Sequence, residues 1–387
     1  MASTQDFLPL MDEIVAIRRD IHQHPEIGME EFRTAELVAR RLEAFGIEVH
    51  RNVGRTGVVG VLRAGEGGGR IGLRADMDAL PMEEQTNLPF RSSVPGLMHG
   101  CGHDGHTAIL LATAKYLAQT RRFNGTVVFI FQPGEEGRGG AEAMLRDGLF
   151  ERFPCDAIFA LHNEPGLDIG RFSVGGGTIA AGGGFFDIVV TGKGAHAAYP
   201  HVGVDPVVTA CHLVTALQSV VSRTVPALDS AVLSVTRISG ADAYNTIAPE
   251  ATIAGTARFF RREVGDLIEQ SMRRMAKGIC EAMGASATVD FRLLFAPTVN
   301  DAAQAAFARE AAVAVSSADR VTTPAAPEMG SEDFSFMLEK VPGAYILLGN
   351  GPSMPVHHPA YAFDDSSIPF GAAYFAEIVE RKLGGRR

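Results

Sequence analysis

Tryptophan is absent from the 387-residue sequence, and aromatic residues together make up only 7% of it. Stacking of nucleobases needs exposed aromatic rings, so this composition disfavours a nucleic-acid-binding role. The 35 Lys and Arg residues are outnumbered by 45 Asp and Glu residues, which gives a formal net charge of −10. Such a surface repels phosphate backbones and anionic lipids, so we expect neither a nucleic-acid nor a membrane partner.

Cysteine is scarce, and no Cys-x-x-Cys pair occurs, which argues against a disulfide framework or a zinc knuckle. The four cysteines are Cys101, Cys155, Cys211 and Cys280. The N-terminal segment carries acidic residues early and lacks the features of a signal peptide. The longest uncharged stretches, 172–186 and 207–222, are interrupted by glycine or polar residues, unlike a membrane span. We therefore expect a cytoplasmic protein.

The remaining composition is that of an ordinary globular protein, with 46% hydrophobic and 21% charged residues. The length predicts two domains, or three. In the first half of the chain, runs of apolar residues alternate with segments whose apolar residues recur at helical spacing. This alternation indicates an α/β domain whose mostly parallel sheet is covered by helices. The apolar runs cover 57–62, 71–75, 126–131 and 156–161, and the helical patterns cover 107–119 and 139–147.

A glycine-dense segment at 175–184 separates this pattern from a different one. Beyond it, the order strand, helix, strand, strand, helix, strand is typical of a ferredoxin-like α+β domain. Helices and a strand then follow to the end of the chain. We therefore predict one α/β domain formed by 1–184 and 297–387, with a ferredoxin-like domain inserted at 185–296.

The densest cluster of reactive side chains is Met98-His-Gly-Cys-Gly-His-Asp-Gly-His106. Three histidines and one cysteine, spaced by small residues, resemble a metal-binding loop. One alternative is a polar loop that opens the helix at 107–119. Another is a nucleophilic Cys101 activated by a histidine, although Cys101 and His103 are closer in sequence than the usual thiol–imidazole pair.

Further polar side chains follow the apolar strands. They are Asp76 after 71–75, Glu135 and Glu136 after 126–131, and His162 after 156–161. In open α/β sheets, ligands bind at the carboxyl ends of the strands, so these side chains are expected to converge with the histidine loop. The segment Val356-His-His-Pro-Ala-Tyr361 provides a further contribution. Thiol, imidazole and carboxylate ligands that come from distant segments of the chain are typical of a catalytic metal site, and this set would suit two metal ions.

With these residues, the chain resembles the aminoacylase/carboxypeptidase metallopeptidase superfamily, in the branch of hippurate hydrolases, N-acyl-amino-acid amidohydrolases and auxin-conjugate hydrolases. The matching segments occur in family order over nearly the whole chain. They are IRRDIHQHPEIGMEE (17–31), LRADMDALPM (73–82), MHGCGHDGHT (98–107), FQPGEEGRGGA (131–141), LHNEPG (161–166), GKGAHAAYPH (192–201), GTARFF (255–260) and GSEDFSFM (330–337). The family's catalytic domain with an inserted lid or dimerisation domain agrees with the boundaries above.

The resemblance implies a role for individual residues. The implied metal ligands are Cys101, which would bridge two metals, His103, Glu136, His162 and His358. Glu135 matches the general base, and Asp78 a carboxylate that orients a ligand. His196 matches a lid histidine that stabilises the oxyanion, often from a partner subunit, and Asn245 and Arg258 match residues that grip the substrate carboxylate. No ligand role is implied for His99, His106, His201 and His357.

The expected activity is metal-dependent hydrolysis of the amide bond of N-acyl-L-amino acids, with two divalent ions per subunit. Thiolate and imidazole ligands favour zinc, cobalt or nickel, whereas carboxylate ligands are also compatible with manganese. A dipeptidase or carboxypeptidase using the same site is one alternative, and a non-catalytic ligand-binding protein of the same fold is another. The resemblance also implies a homodimer or a higher homo-oligomer.

Overall fold

The computed structural model describes residues 2–324 and 326–384. The backbone divides into two compact units, of which the second comprises Ala180–Thr298 and Pro327–Glu332. The first unit contains the described residues on either side of these segments. The expected insertion at 185–296 is a few residues shorter than the observed one. The short segment Pro327–Glu332 carries no signal in the sequence that assigns it to the second unit.

Sixteen strands occur in the described part of the chain, and most of those in the first unit are buried. In chain order they are β1 Glu48–Val53, β2 Gly57–Ala64, β3 Arg70–Asp76, β4 Gly125–Gln132, β5 Ala157–Glu164, β6 Phe172–Ser173, β7 Gly177–Ala180, β8 Gly182–Thr191, β9 Ala195–His196, β10 Ala231–Ser239, β11 Thr246–Ile247, β12 Glu250–Phe259, β13 Ser286–Phe295, β14 Thr298–Asn300, β15 Val321–Thr322 and β16 Gly343–Gly349.

Ten α-helices of the described residues pack against these strands. They are α1 Met11–Gln23, α2 Phe32–Ala44, α3 His103–Thr120, α4 Gly140–Arg146, α5 Leu149–Arg152, α6 Pro206–Ser219, α7 Arg262–Ala282, α8 Ala302–Val315, α9 Phe334–Leu338 and α10 Ile368–Lys382. Single turns of 3-10 helix cover Pro200–Val202, Ala318–Arg320 and Asp365–Ser367, a longer 3-10 segment covers Thr4–Leu10, and a π-helical turn covers Val220–Thr224.

The first unit contains an eight-stranded mixed sheet in the order β1-β2-β4-β3-β5-β16-β6-β15. Its centre, β4-β3-β5-β16, is parallel, while β1 and β2 add an antiparallel edge. The central strands are buried almost throughout, as expected for a parallel sheet with helices on both faces. Because β3, β4 and β5 run the same way, their carboxyl ends lie at one edge. The predicted α/β class is confirmed.

The second unit has a four-stranded antiparallel sheet in the order β10-β12-β8-β13, with α6 and α7 as its two long helices. The chain order βαββαβ and this strand order make it ferredoxin-like, as predicted. The buried side chains Val264, Ile268, Met272, Ala276 and Cys280 recur every four residues on α7 and form its apolar face. In the described residues, no helix has both the length and the apolar composition needed to cross a membrane.

Candidate active site

The loop that carries Cys101 and His103 depends on the glycine between them. Gly102 has a φ of +90°, a left-handed conformation that favours glycine. A Cβ atom there would lie 2.4 Å from both Asn163 Nδ2 and Tyr361 Oη, so a side chain would not fit. This turn ends directly at His103, the first residue of the buried helix α3. The sequence therefore holds Cys101 and His103 in fixed positions on either side of a glycine turn.

Cys101, His103 and His162 form the centre of the site. The Sγ atom of Cys101 lies 3.3 Å from Nε2 of His162, and potential ligand atoms of all three residues lie within 4.8 Å of one another. The Nδ1 atom of His162 is 2.7 Å from its neighbour's carbonyl oxygen, Asn163 O. Because that contact occupies Nδ1, Nε2 is left to face the thiol. His162 lies in the last part of β5, as the pattern of strand ends predicts.

His103 is oriented from behind by Asp78. Its Nδ1 atom lies 2.9 Å from Asp78 O and 3.1 Å from Asp78 Oδ1. The opposite ring nitrogen, Nε2, is fully buried and makes no hydrogen bond within the described part of the chain. A histidine that is bonded to a carboxylate at one nitrogen and open at the other has the usual arrangement of a metal ligand. Buried nitrogens are normally satisfied, so this one indicates a missing partner.

The adjacent carboxylates of Glu135 and Glu136 have different surroundings. Glu135 is buried, and its Oε1 accepts a hydrogen bond from the backbone N–H of Asp333 at 3.3 Å. The backbone N–H of Glu136 donates to Asp78 Oδ2 at 3.0 Å, so Asp78 contacts both ligand-bearing segments. Ligand atoms of His103, Glu135 and Glu136 lie within 4.8 Å of one another. The turn thus directs both carboxylates to the histidine centre.

The C-terminal histidine pair is arranged differently from the expectation. No group of potential ligand atoms among the described residues contains His358, whose exposed ring accepts a hydrogen bond from Ala360 N. The group of potential ligand atoms that contains Cys101 and Glu136 includes His357 instead, whose Nε2 lies 3.1 Å from Glu136 Oε1. His357 has a left-handed φ of +64°, and its backbone N–H donates to Gly100 O, while its side chain stays about half exposed.

The pKa shifts of Cys101 and His162 suit metal ligands better than they suit an activated, nucleophilic thiol. Burial, reinforced by Glu136, raises the pKa of the Cys101 thiol, whereas nucleophilic cysteines have a lowered pKa. Burial and the neighbouring His106 hold the pKa of His162 well below its ordinary value, which keeps its ring neutral and able to bind a metal. Cys101 and Glu136, which lie beside its ring, raise the pKa of His357 to about 10.

Behind the ligands lies a buried polar layer that fixes the ends of β3 and β5. Asp76, the last residue of β3, accepts from Arg74 at 2.7 Å and lies 2.6 Å from His106 Nδ1. The other nitrogen of His106 accepts from Asn163 N at 3.0 Å, so both ring nitrogens are occupied within the protein. Asn163 also donates to Cys101 O at 2.6 Å. His106 thus connects the ends of β3 and β5 beside the ligand loop, and it also forms a group of potential ligand atoms with Asp76 and His103.

The remaining implied residues lie in the second unit. His196 is exposed in the short strand β9, where it pairs with Thr246 of β11, and the neighbouring Ala197 N–H donates to Asn245 O at 2.9 Å. His196 and Asn245 are therefore adjacent in space. Arg258 is half-buried on β12 and donates to two neutral acceptors, Thr256 Oγ1 at 2.7 Å and Ala257 O at 3.0 Å. Burial lowers the pKa of its guanidinium.

Comparison with known proteins decides the family. The model of peptidase family M20/M25/M40 matches residues 72–381, which is most of the chain. The chain belongs to this family. It is 40% identical over 378 residues to hippurate hydrolase of Campylobacter jejuni, covering 98% of each chain. It is 39% identical over 368 residues to N-acetylcysteine deacetylase of Bacillus subtilis, covering 95% of this chain and 96% of the relative.

A solved structure agrees with this assignment. The Bacillus subtilis YXEP protein, described as a dinuclear metal-binding peptidase of the M20 family, superimposes with a TM-score of 0.83 at 36% identity. The match covers 96% of this chain and 98% of that one. The resemblance found in the sequence is confirmed, and so is the expectation of a hydrolase that acts on amide bonds.

Several residues that support this M20 site are not singled out by any pattern in the sequence. Asn163 stands next to a candidate ligand, and Tyr361, whose hydroxyl donates to Asn163 Oδ1 at 2.7 Å, ends the segment that contains the histidine pair. Asp333 lies in the matching segment 330–337, but only the folded chain shows that it contacts Glu135. These are supporting contacts between distant segments, and hydrophobic periodicity does not encode them.

Proposed function

We propose that this M20 hydrolase cleaves the amide bond of N-acyl-L-amino acids, releasing a carboxylic acid and a free amino acid. The observation that carries the proposal is the convergence of thiol, imidazole and carboxylate groups beside a second, buried carboxylate, that of Glu135. The names of two relatives, hippurate hydrolase and N-acetylcysteine deacetylase, each describe hydrolysis of an N-acylated amino acid. The acyl groups in these two names differ, so the names support cleavage of an N-acyl amide bond but do not identify the acyl group.

The residues of the site fit divalent metal ions. The buried Nε2 of His103, which makes no hydrogen bond among the described residues, and the mixed sulfur, nitrogen and oxygen donors favour zinc, cobalt, nickel or manganese. The residues that would hold them are Cys101, His103, Glu136, His162 and His357. When bound, such ions polarise the amide carbonyl and make water nucleophilic near neutral pH.

Glu135 is the proposed general base. Its carboxylate is adjacent to the ligand Glu136 but is held separately, by the backbone N–H of Asp333. Glu135 would take a proton from the attacking water at one of its carboxylate oxygens and return it to the nitrogen of the leaving amine. Proton transfer by a positioned side chain contributes about 10²–10⁴-fold to the rate.

The second unit would complete substrate recognition. The imidazole of His196 is proposed to donate a hydrogen bond to the oxyanion, and loss of one such donor typically lowers kcat by about 10²–10³-fold. Arg258, whose hydrogen bonds go to neutral acceptors, and Asn245 are proposed to bind the carboxylate of the amino acid. We further propose a homodimer in the cytoplasm, in which His196 acts in its own site or in that of its partner subunit.

The deciding experiment combines metal analysis with a substrate panel. Protein purified without added metal is assayed on hippurate, N-acetyl amino acids and free dipeptides, before and after treatment with a chelator. We expect hydrolysis of N-acyl amino acids that is lost on chelation and returns with a divalent ion. Faster turnover of free dipeptides would favour the peptidase alternative. Binding of N-acyl amino acids without turnover by the metal-replete protein would favour the non-catalytic one.

A further inference from the structure

Glu31 is a fully buried carboxylate that the site described above does not use. Its Oε1 accepts hydrogen bonds from the backbone N–H groups of Gly134 at 2.7 Å and Met29 at 3.0 Å. Its Oε2 accepts from the hydroxyl of Thr56 at 2.6 Å. Gly134 immediately precedes Glu135, so this carboxylate is bonded to the turn that carries the proposed base and a proposed ligand.

The surrounding backbone is packed closely enough to transmit a change at Glu31. A Cβ atom on Gly28 would lie 2.9 Å from the Cα of Gly134 and 3.1 Å from Oδ2 of Asp78. Gly134 itself has a left-handed φ of +56°, and a Cβ there would lie 2.8 Å from the sulfur of Met29. Segment 28–31 therefore lies directly against the Glu135 turn and the carboxylate behind His103.

The side chain of Glu31 does not cap the helix that it precedes. Glu31 is the N-cap residue of α2, yet its side chain makes no capping bond. Glu26 caps the helix instead, accepting from the backbone N–H groups of Arg33 at 2.9 Å and Thr34 at 2.8 Å. The side chain of Glu31 turns away from its own helix to a residue 103 positions along the chain.

We infer that Glu31 is a positioning residue, which sets the direction of Glu135 by holding the N–H of Gly134. The inference rests on the proposed function, because it assigns a purpose to Glu31 only if Glu135 acts on substrate. Burial raises the pKa of Glu31 to about 7, but a carboxyl oxygen accepts from the N–H groups of Gly134 and Met29 whether the group is ionised or protonated, which suits it for fixing a glycine-containing turn. A displacement of about 1 Å at a reacting group can lower the rate about 10²-fold.

The test compares Glu31→Ala and Glu31→Gln with wild type, measuring kcat, KM, bound metal and Tm. Glu31→Ala removes the acceptor, and we expect kcat to fall about 10–100-fold while KM stays within about threefold and two ions remain bound. Glu31→Gln keeps an amide oxygen that accepts from Gly134 N–H, and we expect it to recover most of kcat. A role in stability alone would lower Tm without this separation of kcat from metal content.

Glu26→Ala is the matched control, because Glu26 also accepts hydrogen bonds from two backbone N–H groups, but these groups belong to α2. It should lower Tm with little change in kcat. Thr56→Val, which removes only the donor to Oε2, should retain most of the activity. If Glu31→Ala does not fold, Glu31→Asp carries the same test, since its carboxylate is one methylene shorter and would not reach Gly134 N.

Three results would overturn the inference: wild-type kcat in folded Glu31→Ala or Glu31→Asp, no recovery in Glu31→Gln, or a loss of activity that matches a loss of metal. Failure of the proposed function gives a different result, because wild type itself would then show no turnover of any N-acyl amino acid. Bound metal and Tm are measured independently of activity, so the two failures are separable.

Discussion

The Nε2 atom of His357 lies 3.1 Å from Oε1 of Glu136, while the adjacent His358 makes its hydrogen bond with Ala360 N instead. Neighbouring side chains on an irregular loop point in different directions, and it is His357, with its left-handed φ, whose ring contacts Glu136. The contact with Glu136 therefore makes His357, rather than His358, the fifth proposed ligand.

This pair supplies a matched test of the ligand set. We expect His357→Ala to retain fewer than two ions per chain after dialysis and to lose most of its turnover, because one donor beside Cys101 and Glu136 is missing. His358→Ala should keep both ions and most of the activity. Elemental analysis of both dialysed proteins makes the comparison, and the reverse pattern would restore His358 as the ligand.

Glu135 and Glu136 should respond differently to the same substitution. Glu135→Gln is expected to keep its metal and lose about 10²–10⁴-fold in kcat, because the amide cannot accept the proton of the attacking water. Glu136→Gln is expected to lose metal, because it exchanges an anionic ligand for a neutral one. Metal content and kcat are measured on the same preparations. Equal metal retention in the two proteins would mean that their roles have been exchanged.

The sequence predicts the elements of the fold well where apolar runs are long and buried. Strands β3, β4 and β5 each begin and end within about three residues of the runs that predicted them, because burial on both faces demands continuous apolar residues. The two-residue strands β6 and β15, at one edge of the sheet, give no such signal. Their pairing depends on tertiary contacts that join residues 172 and 321.

The site was predictable where chemistry is concentrated in one segment. The pattern around Cys101 and His103 is dense enough to indicate a metal, and strand ends bring in His162 and Glu136. The sequence alone does not distinguish His357 from His358 as the proposed ligand, since both precede the same proline and only the backbone conformation separates them. Glu31 was equally hidden, because its partner Gly134 is reached only through the tertiary fold.

A buried histidine of α1 predicts a pH dependence of stability. His22 places Nδ1 2.9 Å from Asp104 and Nε2 3.4 Å from Glu84, and two carboxylates are both satisfied only if the ring carries two protons. Burial alone would lower the pKa of His22, but Asp104 and Glu84 outweigh it and raise the pKa to about 9. The folded protein therefore binds this proton more tightly than the unfolded chain does.

The sign of the effect follows from proton linkage. The stabilisation is complete below pH 6.5, the ordinary pKa, and is lost as the pH rises to about 9, with a total of about 3–4 kcal/mol at about 1.4 kcal/mol per pH unit. Tm of wild type should fall over this interval more steeply than Tm of His22→Gln. His24→Gln, which changes a partly exposed histidine near the end of the same helix, should follow wild type. Parallel curves for His22→Gln and wild type would contradict the assignment.

The last prediction concerns His196, which lies in a different unit from every proposed metal ligand. We expect His196→Ala to keep both ions and to change KM modestly while it loses most of kcat, because an oxyanion donor acts chiefly in the transition state.

If the protein is a dimer and His196 acts in the partner's site, mixing inactive Glu135→Gln with inactive His196→Ala should restore activity. Each hybrid dimer then has one site with both an intact base and an intact donor. Exchange of subunits is verified by mass spectrometry of differently labelled chains. Absence of recovery despite exchange would assign His196 to its own subunit's site, and unchanged kcat in His196→Ala would remove it from catalysis.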